Sequence, residues 1–356
     1  MTNKPFRVSI VITCYNYVRY VASAIDAALG QTYSGVEVIV VDDGSTDGSA
    51  DVIRAYESRL HSIRQPNQGS IPAYNRGYAE STGDLVMFLD ADDLLAPTAV
   101  SECVAAWKSG AVKVQFDLAI IDASGYALGR RFCNFLAAYD ATEVRSSFMR
   151  TGTYRWPVTV GNAYARTYLQ IMMPLQIAHG PDGFLNTIAP VYGEVITIPR
   201  CLGSYRLHGS SLWSSNGSDL ARLPERIEHR LSEVHSMTDH AAKHGMRLAS
   251  VNVLDHELVF INYRLMSLLL GQSYSGSGTD TPLSLWRLGM AFLRTEALPW
   301  HVKLTHAGWL SVVSIAPGPL AKFLITLRFN RARYIQPVRR TIQKFFGIIG
   351  YRRHGA

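Results

Sequence analysis

The amino-terminal half of the chain alternates short apolar runs with segments of helical periodicity, and no other feature constrains the fold as much. Residues 8–12 and 36–41 are rich in β-branched side chains, and residues 17–29 between them place apolar side chains at helical spacing. Strands that alternate with helices in this way form a Rossmann-like, mostly parallel sheet with helices on both faces. The sequence therefore predicts an α/β fold.

The fourth apolar run ends in a cluster of acids. Residues 85–89 are followed by Asp90, Asp92 and Asp93, and strand alternation turns Asp90 and Asp92 to the same side, where two carboxylates repel each other unless a cation lies between them. A hard divalent ion such as Mg²⁺ or Mn²⁺ prefers oxygen ligands and is commonly held by carboxylates together with substrate phosphates. The alternative is a solvated acidic loop that caps the next helix.

A second acidic strand end favours the site over the loop. Asp42 and Asp43 follow the run 36–41, and the carboxyl ends of parallel strands share one edge, where ligands bind in sheets of this kind. We therefore expect Thr13, Asp43 and the Asp90 cluster along one rim. Phosphate-binding loops are excluded by their motifs, because no G-x-x-x-x-G-K-[ST] is present and no glycine-rich loop follows the first strand.

Four sequence blocks lie at or directly after the predicted strands. They occur in the order found in family 2 glycosyltransferases of the GT-A fold, and together they resemble that family. The resemblance covers roughly residues 6 to 210 and does not reach the last third of the chain. The blocks are VSIVITCYN at 8–16, VDDGSTD at 41–47, NQGSIPAYNRG at 67–77 and LDADD at 89–93.

The resemblance implies a nucleotide-sugar site with a metal. Thr13 and Asp43 would contact the base and ribose, and the D-x-D-D acids would bind the metal and the sugar-ribose part of the donor. The residues implied in donor binding are Thr13, Tyr15, Asp43, Asn75, Asp90, Asp93 and Arg206, and those implied in binding Mn²⁺ or Mg²⁺ are Asp92, Asp90 and His208.

Two further blocks extend the resemblance. In the family a Glu-Asp pair followed by an aromatic residue carries the catalytic base, and here Asp182 matches the Asp while Pro181 replaces the Glu. From the residues alone, Asp182 could equally be a helix cap. Residues 205–208, Tyr-Arg-Leu-His, place a guanidinium and an imidazole that suit a diphosphate or a metal, although His208 could also be an ordinary loop histidine.

The remaining segments define the domain boundaries. Residues 112–116 and 118–121 predict two strands with a hairpin turn after them, residues 130–155 predict a mobile loop, and residues 271–281 predict a linker. We expect a catalytic domain at 1–220, divided into a nucleotide-sugar half at about 6–125 and an acceptor half at about 126–220. Residues 221–356 would form a helical extension, apolar enough to pack on the catalytic domain or on another subunit.

Charge and cysteine usage indicate location. The four cysteines are scattered without a C-x-x-C pair, and no secretory signal is visible, which suits the cytoplasm. The net charge is +7, but residues 297–356 hold ten Lys or Arg and no acid, so the rest of the chain carries −3. No apolar stretch reaches the roughly 20 residues of a spanning helix.

The basic segment predicts a membrane partner. Its apolar residues fall close to one face of a helix over 335–349, a pattern typical of helices that lie in a membrane interface. We therefore expect peripheral association with the inner face of the plasma membrane, and no nucleic acid partner. A basic helix packed on the protein is the alternative.

The function predicted from these features is a metal-dependent, inverting glycosyltransferase. It would move a sugar from a nucleoside-diphosphate sugar to the hydroxyl of a glycan or lipid-linked acceptor in polysaccharide synthesis. A sugar-phosphate nucleotidyltransferase would need a glycine-rich basic loop where Cys14-Tyr15-Asn16 stands. A non-catalytic nucleotide-binding subunit of a glycan-assembly complex is the third alternative.

Overall fold

The computed structural model describes residues 6–178, 180–208, 217–249, 252–296 and 298–329. They fall into two units, each with its own internal contacts. The first comprises Met1–His208 with Ser232–Val253, and the second comprises Gly209–Leu231 with Leu254–Ala356.

One mixed sheet forms the centre of the first unit, in the strand order β3-β2-β1-β4-β8-β6-β9-β5, with β7 paired to β6. The strands are β1 (Val8–Cys14), β2 (Val36–Asp42), β3 (His61–Arg64), β4 (Leu85–Asp90), β5 (Leu94–Leu95), β6 (Ala111–Asp122), β7 (Ala127–Arg131), β8 (Asn162–Ala165) and β9 (Glu194–Leu207).

The predicted parallel part of this sheet is confirmed. β1 pairs parallel with β2 on one side and with β4 on the other, and β2 pairs parallel with β3. β8 is antiparallel to both β4 and β6, so it joins the parallel strands to a second parallel pair, β6 and β9. The carboxyl ends of β1, β2 and β4 therefore lie at one edge.

Helices cover the sheet of the first unit, and other helices form the second unit. The helices are α1 (Val21–Leu29), α2 (Ser49–Arg54), α3 (Ser70–Glu80), α4 (Ala99–Ala106), α5 (Ala141–Thr151), α6 (Arg166–Met172), α7 (Pro181–Tyr192), α8 (Leu223–Lys243), α9 (Leu258–Leu270), α10 (Pro282–Thr295), α11 (Trp300–Ile315) and α12 (Gly318–Phe329).

Both faces of β1 are covered, as the alternation of side chains requires. Ile10 and Ile12 pack in one apolar core with Ile25 of α1. Val11, on the opposite face, lies against Gly77 of α3, where a methyl group would collide with the valine. The sheet therefore has a helix layer on each side, which confirms the predicted α/β class.

A single strand, β6, replaces the two strands predicted on either side of Asp117. An acid inside an apolar run suggested a break, but the Asp117 carboxylate is fully buried and compensated. It pairs with Arg131 at 2.6 Å and accepts hydrogen bonds from the backbone N–H groups of Cys133 and Phe135, both at 3.0 Å. The strand continues through a shift in its register with β9 at this point.

The predicted mobile loop at 130–155 is wrong, because the segment contains α5. Asp140 caps this helix by accepting from the backbone N–H of Glu143, and Gly152 ends it in a left-handed conformation. Val144 and Phe148 are its buried apolar residues. This narrow apolar face is the reason that hydrophobic periodicity did not reveal the helix.

The second unit has a core of its own, formed by α9 to α12 with the first residue of α8. Its fully buried side chains include Ile261, Leu265, Leu285 and Leu310. The predicted linker at 271–281 is a loop between α9 and α10 with one short turn of 3₁₀ helix. The predicted amphipathic helix at 335–349 lies outside the described residues.

A membrane-spanning helix is not found among the described residues, since none of their helices combines sufficient length with sufficient apolar character.

Candidate active site

Three strand ends meet at one edge of the sheet. Thr13 of β1 stands in register with Val41 of β2 on one side and with Asp90 of β4 on the other. Cys14 stands opposite Asp42 and accepts a backbone hydrogen bond from Asp43 at 2.8 Å. The two acidic strand ends therefore flank Thr13, as the sequence predicted from the topology.

The loops that leave β1 and β2 are tied together. Asn16 has a left-handed backbone (φ 60°), a conformation that asparagine tolerates better than most residues. Its backbone N–H donates to the Ser45 hydroxyl at 2.9 Å, and its side-chain oxygen accepts from the backbone N–H of Thr46 at 2.8 Å. These contacts connect the loop after β1 to the loop after β2.

Asp43 is buried and fixes a third loop. One carboxylate oxygen accepts from Gln65 at 2.7 Å and from the backbone N–H of Gln68 at 3.0 Å, and the other accepts from the backbone N–H of Gly69 at 2.8 Å. In this arrangement Asp43 orients the loop that leads into α3.

Asp92 forms a pair with His208, which directly follows β9. The imidazole Nε2 lies 2.7 Å from the carboxylate, and both side chains are almost fully buried. The rings of Tyr17 and Tyr20 lie 5.9 and 5.1 Å from the imidazole, between ring centroids. Burial, and then the charges of Asp92 and Asp90, raise the pKa of Tyr17, so its phenol remains a proton donor toward this pair.

Asp93 and Arg206 meet on the other side of Asp92. The backbone N–H of Arg206 donates to the Asp93 carboxylate at 2.9 Å, and the guanidinium Nε donates to the Asp92 carbonyl at 2.7 Å. The guanidinium carbon also lies 5.0 Å from the centroid of the Tyr20 ring. Burial, and the charges of Asp92 and Asp90, raise the pKa of Asp93 well above its usual range.

The negative charge of Asp182 acts on Asp90. Burial, followed by the negative charges of Asp92 and Asp182, raises the pKa of Asp90 to about 7. The Tyr74 hydroxyl lies 3.4 Å from the Asp90 carboxylate and 3.3 Å from the Thr159 hydroxyl. The structure therefore gathers Asp90, Asp92 and Asp182 into one acidic cluster, although 90 residues of sequence separate the last two.

Asp182 stands in the first turn of α7, which begins at Pro181 after a left-handed Gly180. Burial raises the pKa of its carboxyl. Hydrogen bonds from the backbone N–H groups of Gly183, Asp182 and Thr159, and the charge of Lys113, oppose that rise. The positive end of the helix dipole also favours an anion at this position. Opposing effects therefore determine the ionisation of this buried carboxyl.

A buried network lies beneath the Asp182 turn. Lys113 of β6 is fully buried, and its ammonium donates to the side-chain oxygen of Asn186 at 2.5 Å and to the Tyr154 hydroxyl at 3.0 Å. The Tyr164 hydroxyl donates to the same Asn186 oxygen at 2.9 Å. Asn186 is one helical turn after Asp182, so this network anchors the helix that carries the candidate base.

Tyr15 and Asn75 do not join the acidic cluster through any described hydrogen bond. Tyr15 is 45% exposed at the rim. The Asn75 amide donates to the carbonyl of Leu175 at 3.0 Å and accepts from its backbone N–H at 2.7 Å. It thereby connects α3 to the segment before α7.

The acidic rim fits a divalent metal that is shared with a ligand. Within the described residues no group of three or more His, Cys, Asp or Glu is arranged to hold a metal by itself. However, Asp92 and His208 offer an oxygen and a nitrogen donor side by side, and one buried oxygen of Asp93 has no hydrogen-bond partner. Metals bound through one or two protein ligands are usually completed by substrate phosphates.

Several residues of the site were not predicted from the sequence. Lys113 had a detectable signal, because a lysine inside the apolar run 111–116 is unusual for a buried strand. Tyr17 and Tyr20 were assigned only to a helical pattern. Tyr74 lies in the block 67–77 but was given no role, and Thr159 lies in the short turn before β8. Their positions depend on how α3 and that turn approach β4.

The chain resembles known proteins across its first unit. Residues 9–169 match the profile of Glycosyl transferase family 2. An uncharacterised glycosyltransferase of Nostoc sp. is 34% identical over 214 residues, which are 58% of this chain and 66% of the relative. Glycosyltransferase GlyA of Streptococcus pneumoniae is 26% identical over 222 residues, 58% of this chain and 31% of the relative. The chain thus spans less than two thirds of the length of these relatives.

Among solved structures, a mannosyltransferase from Pyrobaculum calidifontis in complex with GDP-Man and Mn²⁺ is similar to this chain with a TM-score of 0.49. The two proteins are 15% identical, and the alignment covers 92% of this chain and 87% of that one.

Proposed function

Because residues 9–169 make this chain a member of glycosyl transferase family 2, we propose that it transfers a sugar from a nucleoside-diphosphate sugar to an acceptor hydroxyl. The observation that carries the proposal is the proximity of Asp182 to Asp90, seen in the effect of the Asp182 charge on the pKa of Asp90 at the carboxyl edge of the sheet. This reaction needs a base for the hydroxyl beside a rim that can receive a diphosphate, and the acidic cluster supports assigning both parts here.

Asp182 is the proposed general base. Its carboxylate takes the proton of the acceptor hydroxyl while the oxygen attacks the anomeric carbon. The bond from that carbon to the diphosphate oxygen breaks, and its electron pair leaves with the nucleoside diphosphate. One displacement of this kind inverts the anomeric carbon, and it requires a single base on the acceptor side.

Asp92 and His208, with Asp90, are the proposed protein ligands of Mn²⁺ or Mg²⁺. When bound, such an ion stabilises the negative charge that develops on the departing diphosphate. Thr13, Tyr15, Asp43, Asn75, Asp93 and Arg206 are the proposed contacts of the nucleotide sugar. One buried oxygen of Asp93 has no hydrogen-bond partner, which supports assigning ligand binding to the acidic rim.

The proposed acceptor is a glycan or a lipid-linked saccharide, used in polysaccharide synthesis at the cytoplasmic face of a membrane. Support comes from the ten Lys or Arg and the absence of acids in residues 297–356, a composition that suits an anionic surface. The four free cysteines suit a reducing compartment.

A donor panel tests this proposal. We expect the purified chain to release nucleoside diphosphate from at least one sugar nucleotide in the presence of Mn²⁺ or Mg²⁺, and to lose that activity when EDTA is added. Asp92→Asn should weaken nucleotide binding in the presence of metal, whereas Asp51→Asn, at an exposed position on α2, should behave like the wild type. Absence of both hydrolysis and transfer across the panel would contradict the proposal.

A further inference from the structure

Two apolar stripes lie on the outer faces of the last two described helices. On α11 the exposed residues Trp300, Leu304, Val312 and Ile315 recur every three or four positions, with Gly308 between them, and their exposed fractions are 73, 62, 51 and 83%. This spacing aligns them along one side of the helix.

The stripe on α12 has the same character. Leu320, Phe323 and Leu327 are exposed at positions i, i+3 and i+7. The opposite sides of these helices supply Leu310, Val313 and Ile325 to the core of the second unit. The stripes are therefore not needed to build that core, and exposed apolar surface of this extent usually marks an interaction surface.

The charges around the stripes indicate what covers them. Lys303, Lys322 and Arg328 are the charged residues of α11 and α12, and neither helix contains an acid. The 27 residues that follow α12 add seven Lys or Arg and no Asp or Glu. An apolar surface on helices whose charged residues are all basic is complementary to a bilayer containing anionic lipid.

A second copy of the chain fits this surface poorly. In a twofold dimer the same patch faces itself, so the basic residues of both copies would be brought together with no described acid on these helices to offset them. The exposed Trp300 is also a residue type that favours the membrane–water interface.

We propose that the exposed stripes of α11 and α12 form a membrane-docking surface that lies in the interface of an anionic bilayer without crossing it. The inference deepens the membrane association proposed above and gives it specific residues. The stripes lie wholly on described helices, and the segment that follows α12 enters only through its basic composition.

Vesicle sedimentation of the full-length chain tests this surface. We expect the wild type to sediment with vesicles of phosphatidylcholine and phosphatidylglycerol, and much less with phosphatidylcholine alone or in high salt. The triple variant Leu304→Glu, Val312→Glu, Ile315→Glu should lower the partition coefficient by about tenfold or more, since three apolar side chains that would enter the interface are replaced by charged ones. Ile171→Glu is the matched control, because Ile171 is also exposed but lies on α6 of the first unit.

Two controls separate the possible outcomes. Release of nucleoside diphosphate from a soluble donor, measured without vesicles, should be unchanged in the triple variant, so loss of docking and loss of the proposed activity are distinguishable. Circular dichroism and light scattering report folding and mass, and Trp300→Phe should reduce quenching of tryptophan emission by brominated lipid. Wild-type sedimentation of the triple variant, or a wild-type dimer that the variant dissociates, would overturn the proposal.

Discussion

The pKa of the Asp182 carboxyl is determined by several opposing effects. Burial favours its protonated form, whereas the start of α7, the Thr159 N–H and the charge of Lys113 favour its ionised form. The net effect is a raised pKa. A base must be ionised to accept a proton, so activity is present above this raised pKa and is lost as the pH falls through it.

The acid limb of the pH–rate profile is therefore expected above 3.8, the ordinary pKa of an aspartate. The measurement is kcat/KM for nucleoside-diphosphate release between about pH 4 and 8, at a fixed metal concentration, because this parameter reports groups of the free enzyme. An acid limb at or below the ordinary aspartate value would show that the base does not occupy the buried environment described for Asp182.

Lys113→Met isolates the contribution of the buried lysine, whose own pKa is lowered well below its usual range by burial, an effect that the negative charge of Asp182 opposes. Removing a positive charge that favours the Asp182 carboxylate should move the acid limb to higher pH. Asn186 would still accept from Tyr164, so the network beneath α7 retains one of its contacts. Lys108→Met, at an exposed position, is the control and should leave the profile in place. If the acid limb of Lys113→Met lies at the same pH as that of the wild type, Lys113 has no electrostatic effect on the pKa of Asp182.

At the scale of the elements, local sequence patterns predicted the strands that end at the site. The runs before Thr13, Asp43 and Asp90 are apolar and β-branched, and the rule for parallel strands brought their ends together correctly. Asp182 was predicted only through its resemblance to a family block, because no local pattern relates a residue on α7 to a strand end far away in the sequence.

Tertiary compensation explains what the sequence did not reveal. The break expected at Asp117 is absent because Arg131 neutralises the buried acid and backbone N–H groups donate hydrogen bonds to it. Lys113 is tolerated in a buried strand because Asn186 and Tyr154 accept hydrogen bonds from its side-chain nitrogen. Each of these side-chain partners is distant in sequence. Single-residue propensity and hydrophobic spacing therefore cannot predict these contacts.

Packing of α3 on the sheet depends on Gly77. A methyl group at this position would collide with Val11, so Gly77→Ala should force α3 away from β1 and lower the free energy of unfolding by about 1–3 kcal/mol. Gly308→Ala is the matched helical control, since nothing lies near its added methyl, and it should be neutral or stabilising by up to about 1 kcal/mol. Urea unfolding measures both changes. Equal effects of the two substitutions would contradict the close contact.

At the scale of the whole molecule, the second unit contains its own buried ion-pair network. Arg264 binds Asp280 through two nitrogens at 2.8 and 2.6 Å and Asp255 through a third at 2.6 Å. Arg264→Met leaves two carboxylates without this partner and should destabilise the second unit by about 3–5 kcal/mol.

The matched control is Arg222→Met, which removes an exposed pair with Glu225 and should change stability by at most about 1 kcal/mol. Urea unfolding and titration with nucleoside diphosphate plus Mn²⁺ are measured on the same preparations. Because the residues of the proposed nucleotide site belong to the first unit, its affinity should survive Arg264→Met under conditions where the protein stays folded. Loss of affinity in parallel with stability would show that the two units are not independent.

Asp182→Asn should separate turnover from nucleotide binding when both are measured on the same preparation. The substitution removes the proposed base but leaves Asp92, Asp93 and His208 in place. Turnover of the donor identified by the panel should fall by about a hundredfold or more, while the Kd for nucleoside diphosphate with Mn²⁺ should change by no more than about twofold. Retained turnover, or nucleotide affinity that falls as far as turnover does, would contradict the assignment of Asp182 as the base.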